Sequence, residues 1–150
     1  LHKEYRRQRQ MCIRDRNSIF TQAIEENLRD VAEGGSFYEE YIKAASLLVQ
    51  YRDVVIHVYN SKNRDIVTNY LERLTAEIVR GYIARKSEGQ NISDKDLEFI
   101  SYFYSYAIIG STYKWIESGM KADFKHFIGK IADSIDATLP VMISKAGKAD

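Results

Sequence analysis

The chain has 150 residues, of which 45% are hydrophobic and 29% are charged, and its formal net charge is +1 at pH 7. This length and composition predict one globular domain with a substantial core, and they exclude an intrinsically disordered chain. No apolar run is long enough to cross a membrane, and the start of the chain lacks the apolar stretch of a secretory signal. Cys12 is the single cysteine, so we expect no internal disulfide and a cytoplasmic protein.

The positive charge is concentrated at the start of the chain. Residues 1–16 contain six Lys or Arg and two acidic residues, whereas the remainder contains sixteen and nineteen. A basic segment of this kind can contact phosphates, but it is more often a solvated helix or arm. We interpret residues 1–16 as a basic N-terminal extension or the remnant of a connecting helix, and residues 17–150 as the folded domain. Because the first residue is Leu1 rather than Met, we expect that a segment upstream has been left out.

The first two predicted helices follow this basic segment. Residues 17–33 place apolar side chains at spacings of three and four, which predicts an amphipathic helix that ends at Gly34-Gly35. Ser36 is expected to cap the next helix, with Glu39 completing a capping box. This second helical region extends to about Asn60, and its polar residues 50–53 indicate a break.

Three longer helices are predicted in the rest of the chain. One extends from about residue 63 to Lys86, and the next begins after Ser93 and ends at Ser118-Gly119. The last extends from about Asp123 to residue 144, and Pro140 inside it is expected to kink or end it. No strand pattern of convincing length occurs. The predicted fold class is therefore an all-α bundle of about five to six helices.

The helix after Ser93 carries apolar side chains on two faces. The first face contains Leu97, Ile100, Tyr104, Ala107, Ile108, Ser111 and Trp115, and the second contains Phe99, Phe103, Tyr106, Ile109, Tyr113 and Ile116. Two apolar faces require burial from two directions, and one of these is the core of the domain. The other is a second copy of the chain, unless the helix is simply central in a monomer.

The final helix has a narrow apolar seam of its own, which suggests that the two helices pair across a two-fold axis. In that arrangement two copies would form a four-helix bundle. The residues that we expect at this dimer interface are Tyr104, Ile108, Ser111, Trp115, Phe127, Ile131, Ile135 and Leu139.

A short motif joins these two helices. Residues 115–121, WIESGMK, follow the pattern W-(I/L)-x-x-G-M-K, and the preceding segment SDKDLEFISYFYSYAIIG is a long, aromatic-rich helix. These features resemble the C-terminal domain of TetR-type transcriptional regulators, and the resemblance extends over residues 17–145. It implies a homodimer formed by the last two helices, and an effector pocket enclosed by earlier ones. It also implies DNA binding through an N-terminal helix-turn-helix domain that this chain does not contain.

The sequence offers little for catalysis or metal binding. His2, His57 and His126 lie far apart, and no metal-site spacing, nucleophile motif or phosphate-binding loop occurs. The paired carboxylates Glu25-Glu26 and Glu39-Glu40 fall on faces that are expected to be solvated. We therefore expect no enzymatic activity, no cofactor and no metal.

The tyrosines are the strongest candidates for a binding site. There are eleven of them, several fall on stripes expected to face inward, and a buried phenol needs a hydrogen-bond partner. A cavity between helices would satisfy several at once, although each hydroxyl could equally reach the surface from a packed ring. With the family resemblance, we predict a pocket for a small, partly apolar effector of unknown identity. Its expected lining is Tyr41, His57, Tyr59, Tyr70, Tyr82, Tyr102 and Tyr106.

Two functions are consistent with these features. The first is a ligand-responsive dimerisation domain of a TetR-type regulator, whose partners are a second copy of itself, a small-molecule effector and, only through the missing domain, DNA. The alternative is a helical protein–protein interaction module without an effector. It rests on the same apolar surface and on the lack of a ligand-specific motif.

Overall fold

The computed structural model describes residues 2–7, 22, 26 and 36–147, which are helical or connect helices. Residues 2–7 are helical, as are Gln22 and Glu26, whose side chains form a hydrogen bond of 3.3 Å. The elements that follow are α1 (Phe37–Gln50), α2 (Arg52–Tyr59), α3 (Arg64–Lys86), α4 (Asp94–Glu117) and α5 (Phe124–Gly147). The described residues contain no strand, which confirms the all-α prediction. The predicted helix at 17–33 and most of the basic extension lie outside the described residues.

In three helices, the side chain of the residue just before the helix accepts a hydrogen bond from an amide of the first turn. Ser36 Oγ accepts a hydrogen bond from the Glu39 amide at 3.2 Å, and Ser93 Oγ accepts one from the Asp96 amide at 3.1 Å. The Asp123 carboxylate likewise accepts from the amide of His126 at 3.1 Å. Each cap satisfies a backbone donor that the helix itself leaves without a partner. The two serine caps predicted from the sequence are therefore confirmed.

The break predicted at residues 50–53 is also present. Tyr51 has φ −110° and ψ 36°, which is not helical, and it separates α1 from α2. Pro140, in contrast, does not end α5, which continues to Gly147, so that of the two effects expected of this residue, a kink or a helix end, the helix end does not occur. Leu139 and Ile143 beside it are buried in the core, and this packing offsets the hydrogen bond that a proline removes.

The helices pack around one core. The pair α3 and α4 makes the most extensive contact, α1 packs against α3 and α5, and α2 lies against α3 and α4. Fully buried side chains from all five helices meet in this core, among them Tyr41, Val55, Leu71, Ile116 and Ile128. Within the described ranges, no helix combines the length and hydropathy that a membrane crossing requires.

Candidate functional site

Helix α4 exposes four aromatic side chains on one face. Phe99, Tyr102, Phe103 and Tyr106 are 47%, 49%, 50% and 68% exposed, and their spacing of i, i+3, i+4, i+7 places them on a single stripe. The ring centroids of Phe99 and Tyr102 lie 5.2 Å apart, and those of Tyr102 and Tyr106 lie 6.4 Å apart. We call these four residues the aromatic ridge. The expectation that Tyr102 and Tyr106 face inward is thus wrong, because both side chains are exposed.

A cleft of about 290 Å³ lies on one side of the ridge, between α3 and α4. Its floor consists of the buried residues Ser101, Ser105 and Ile109, and its α4 wall is formed by Glu98, Tyr102 and Tyr106. Helix α3 contributes Glu72, Ala76 and Arg80, which follow one another at intervals of four residues. This α3–α4 cleft combines apolar surface with a few convergent polar groups, as small-molecule sites do.

The charges around the α3–α4 cleft are unevenly distributed. Glu72 and Glu98 contribute two carboxylates and Arg80 one guanidinium, and none of them joins an ion pair within the described part of the chain. Tyr113 lies near Glu72, and burial together with the charge of Glu72 raises its pKa to about 12. Its hydroxyl is buried without a hydrogen-bond partner among the described residues. The phenol is therefore a neutral donor at physiological pH.

A second groove, of about 430 Å³, lies on the other side of the ridge, between α4 and α5. Its wall is largely apolar and contains six of the eight residues predicted at a dimer interface, namely Tyr104, Ile108, Ser111, Phe127, Ile131 and Ile135. The two remaining predicted residues, Trp115 and Leu139, are buried in the core of the chain and do not line this α4–α5 groove.

The residues predicted to line one effector pocket are distributed over several places. Four buried tyrosines find protein partners: the Tyr41 hydroxyl is 3.3 Å from Thr75 Oγ1, and Tyr70 donates to the Ala44 carbonyl at 2.9 Å. Tyr59 donates to Glu117 at 2.8 Å and Tyr82 to Asp136 at 3.1 Å.

The other three predicted residues are at the surface. His57 lines a shallow surface cleft beside Asp53, and Tyr102 and Tyr106 line the α3–α4 cleft. Among the described residues, the seven do not share a cavity. The partners of the buried phenols lie 26 to 58 positions away in sequence, which is why spacing alone did not reveal them.

The WIESGMK motif has a clear structural role at the end of α4. Gly119 has φ 84°, a left-handed conformation that glycine adopts without a steric penalty. The Met120 amide donates to the Trp115 carbonyl at 3.0 Å and the Gly119 amide to the Ile116 carbonyl at 2.9 Å, which is a Schellman motif. The Trp115 indole N–H also donates to the Ala122 carbonyl at 3.0 Å. The motif thereby fixes the reversal that brings α5 beside α4.

This arrangement agrees with a comparison of the sequence with family models. A model of the TetR C-terminal type, described as a transcriptional regulator C-terminal region, matches residues 35–137. The chain belongs to the TetR family of transcriptional regulators. No match to a curated protein or to a solved structure was found. The residues matched by the TetR model include both walls of the α3–α4 cleft and most of the α4–α5 groove.

Metal binding has no visible basis in the part of this TetR-type region that the structure describes. No group of three or more His, Cys, Asp or Glu side chains there is arranged to hold a metal ion. The side chains that distinguish its surface are instead the aromatic ridge and the polar residues on α3. Glu72, Ala76 and Arg80 were missed in the sequence because the face of α3 that they occupy reads as an ordinary solvated face.

Proposed function

We propose that this chain is the ligand-responsive dimerisation domain of a TetR-type regulator, with its effector in the α3–α4 cleft and a second copy at the α4–α5 groove. The observation that carries this proposal is the surplus apolar surface on both sides of α4. The aromatic ridge separates the two sites, so that one helix lines both.

The α4–α5 groove supports the dimerisation part of the proposal. It runs along two adjacent helices, and Ile131 and Phe127 in its wall are only half-buried although they are large and apolar. A symmetric contact with the same groove of another copy would cover this surface and would give a four-helix bundle.

The α3–α4 cleft supports the effector part of the proposal. Tyr102 and Tyr106 present two adjacent rings, while Glu72, Arg80 and Glu98 supply charged groups that are free of ion pairs among the described residues. A ligand seated there would contact α4 directly. If the ligand binds one position of α4 more tightly than another, it favours that position and the dimer packing that goes with it. A ligand with equal affinity for both conformations would shift neither.

Sedimentation of the purified chain tests dimerisation. We expect a dimer at micromolar concentration and a monomer for Ala107→Arg, because Ala107 lines the groove yet is exposed, so that the larger side chain blocks the contact without disturbing the fold. Val141→Arg is the matched control. Val141 is likewise exposed but lies on α5 outside the groove, so this variant should stay dimeric. A monomeric parent chain would refute the dimer.

Thermal-shift screening of a small-molecule library tests the effector. A true effector should raise the melting temperature of the chain and lose this effect in Tyr106→Ala. Tyr5→Ala is a suitable control, since Tyr5 is 67% exposed, close to the 68% of Tyr106, and does not line the cleft. An effect that survives Tyr106→Ala would place the ligand elsewhere.

The exposure of the ridge favours one alternative function, an interaction module without an effector. Four exposed aromatic side chains in a row are typical of protein-binding surfaces. In that case Phe99→Ala, which leaves the cleft lining unchanged, should weaken partner binding, and no compound should raise the melting temperature through Tyr106.

A further inference from the structure

Pro140, the single proline of the chain, lies inside α5. Proline has no backbone N–H, and a helical N–H at position 140 would donate to the carbonyl of Asp136. Pro140 therefore supplies no helical donor to that carbonyl oxygen. Asp136 is an exposed residue, so this carbonyl oxygen is open to a hydrogen bond from water or from a bound ligand.

The same turn of α5 borders a cleft of about 410 Å³, which we call the α5 proline cleft. Its floor contains Tyr82, Leu139 and Ile143, which are all buried in the core. Its rim carries polar groups, among them Lys86 and Gln90 near the end of α3 and Asp136 on α5. The lining of this cleft shares no residue with that of the α3–α4 cleft.

A positively charged and a negatively charged side chain, Lys86 and Asp136, both lie next to the Tyr82 ring in this cleft. Lys86 Nζ lies 5.5 Å from the centroid of the Tyr82 ring, and the Tyr82 hydroxyl donates to Asp136 Oδ1 at 3.1 Å. In spite of this proximity, neither Lys86 nor Asp136 forms an ion pair within the described ranges. The rim thus offers a cation and an anion that face the same apolar floor without neutralising each other.

We propose that the α5 proline cleft binds a small zwitterion with an apolar side chain, namely an α-amino acid. The ligand's ammonium group would donate to the Asp136 carboxylate and to the Asp136 carbonyl that Pro140 leaves without a helical donor. Its carboxylate would bind Lys86, and its side chain would cover Leu139 and Ile143. The site needs neither a second copy of the chain nor an occupied α3–α4 cleft.

Three probes that share the same branched alkyl chain separate the contacts of this site, measured by titration calorimetry on the full chain. L-Leucine carries both charged groups, isocaproate lacks the ammonium and isoamylamine lacks the carboxylate. We expect L-leucine to bind with a Kd of about 1 mM or lower, and each truncated probe to bind at least about tenfold more weakly, since isoamylamine loses the contact with Lys86 and isocaproate loses both contacts with Asp136. Absence of saturable binding by L-leucine, or equal binding by all three probes, would overturn the proposal.

Substitutions on the rim assign each contact to a residue. Lys86→Met should lower the affinity for L-leucine about tenfold and leave the affinity for isoamylamine unchanged. Asp136→Asn should lower the affinity for both ligands. Lys145→Met removes an exposed lysine of α5 that does not line the cleft, and it should bind L-leucine as the parent does. If Lys86→Met and Lys145→Met have the same effect, the ligand does not occupy this cleft.

Pro140→Ala separates the backbone carbonyl from the charged side chains. The new N–H would donate to the Asp136 carbonyl and compete there with the ammonium group of the ligand, so the affinity for L-leucine and isoamylamine should fall while that for isocaproate stays the same. Circular dichroism of each variant establishes that its helices are intact. A Pro140→Ala variant that binds both amine probes as tightly as the parent would exclude the carbonyl from the site.

Discussion

At the scale of single residues, Glu40 is the acidic side chain most deeply embedded in the described part of the fold. Its side chain is only 5% exposed, and Arg85 Nη2, on a side chain that is 37% exposed, lies 2.6 Å from its Oε1. The pair joins the first turn of α1 to the last turn of α3. Burying a carboxylate costs free energy unless an opposite charge or hydrogen bonds offset the loss of its hydration. This ion pair therefore constrains where α1 begins relative to α3.

Removing the guanidinium should therefore destabilise the protein. Arg85→Ala removes the guanidinium that contacts the buried Glu40 carboxylate, and we expect the free energy of unfolding in urea to fall by about 1–3 kcal/mol. Arg80→Ala removes an exposed arginine outside any ion pair of the described residues and should change that free energy by less than about 0.5 kcal/mol. Similar losses in the two variants would argue that the ion pair contributes nothing.

Tyr82 makes stability sensitive to alkaline pH. Burial, together with the hydrogen bond to Asp136, raises its pKa from 10.0 to about 12. Between these values the unfolded chain binds fewer protons than the folded one, so the free energy of unfolding falls as pH rises, by at most about 1.4 kcal/mol per pH unit for one group. Urea denaturation across this range should show a shallower slope for Tyr82→Phe. An unchanged slope in this variant would contradict the raised pKa.

The tyrosines also mark the limit of what a sequence predicts about single residues. Periodicity correctly placed Tyr41, Tyr70 and Tyr82 inside, because α1 and α3 each bury one clear face. It failed for Tyr102 and Tyr106 because α4 is apolar on two faces, and nothing local distinguishes the face that meets the core. Hydrogen-bond partners such as Asp136 were beyond prediction, since they depend on how distant helices pack.

At the scale of elements, α5 contains a proline in its interior, beside the buried residues Leu139 and Ile143. Pro140→Ala restores a backbone hydrogen bond and removes the steric conflict with the preceding turn. We expect the free energy of unfolding in urea to rise by about 1–3 kcal/mol. Val141→Ala, at the exposed adjacent position, should leave stability within about 0.5 kcal/mol. A less stable Pro140→Ala would mean that the ring itself packs favourably.

Element boundaries were predictable where the chain supplies its own signal. Ser36 and Ser93 cap α1 and α4 as expected, Tyr51 interrupts the helical region where polar residues cluster, and Gly119 ends α4. The last helix was predicted to extend past Pro140 to about residue 144, and α5 does continue past it, to Gly147; the burial of Leu139 and Ile143 outweighs the local penalty of the proline. Local chemistry thus determines most starts and stops, and tertiary packing can override it.

At the scale of the whole molecule, dimerisation would make stability depend on concentration. If two copies cover the α4–α5 groove in the folded state alone, the melting temperature should rise with protein concentration, by mass action. The same series with Ala107→Arg should show a constant melting temperature. If the melting temperature of the parent chain does not change with protein concentration, the α4–α5 groove is not covered by a second copy in solution.

The family and the helical bundle were accessible from the sequence, because the WIESGMK motif and the helical periodicities are local features. The α3–α4 cleft was not, since it arises where a polar face of α3 meets a serine-rich face of α4. The α5 proline cleft likewise requires the end of α3 and the middle of α5 to meet in space. Sites formed between elements depend on their mutual placement, which no single helix encodes.

Trp115 gives the molecule a natural optical probe. It is the single tryptophan of the chain, it stacks on Phe127 with centroids 5.3 Å apart and ring planes inclined by 8°, and its indole N–H is bound to the Ala122 carbonyl. Its fluorescence therefore originates at the junction of α4 and α5, where any rearrangement of these two helices would change the environment of the indole. The emission spectrum of the unlabelled protein would follow such a rearrangement at one defined place.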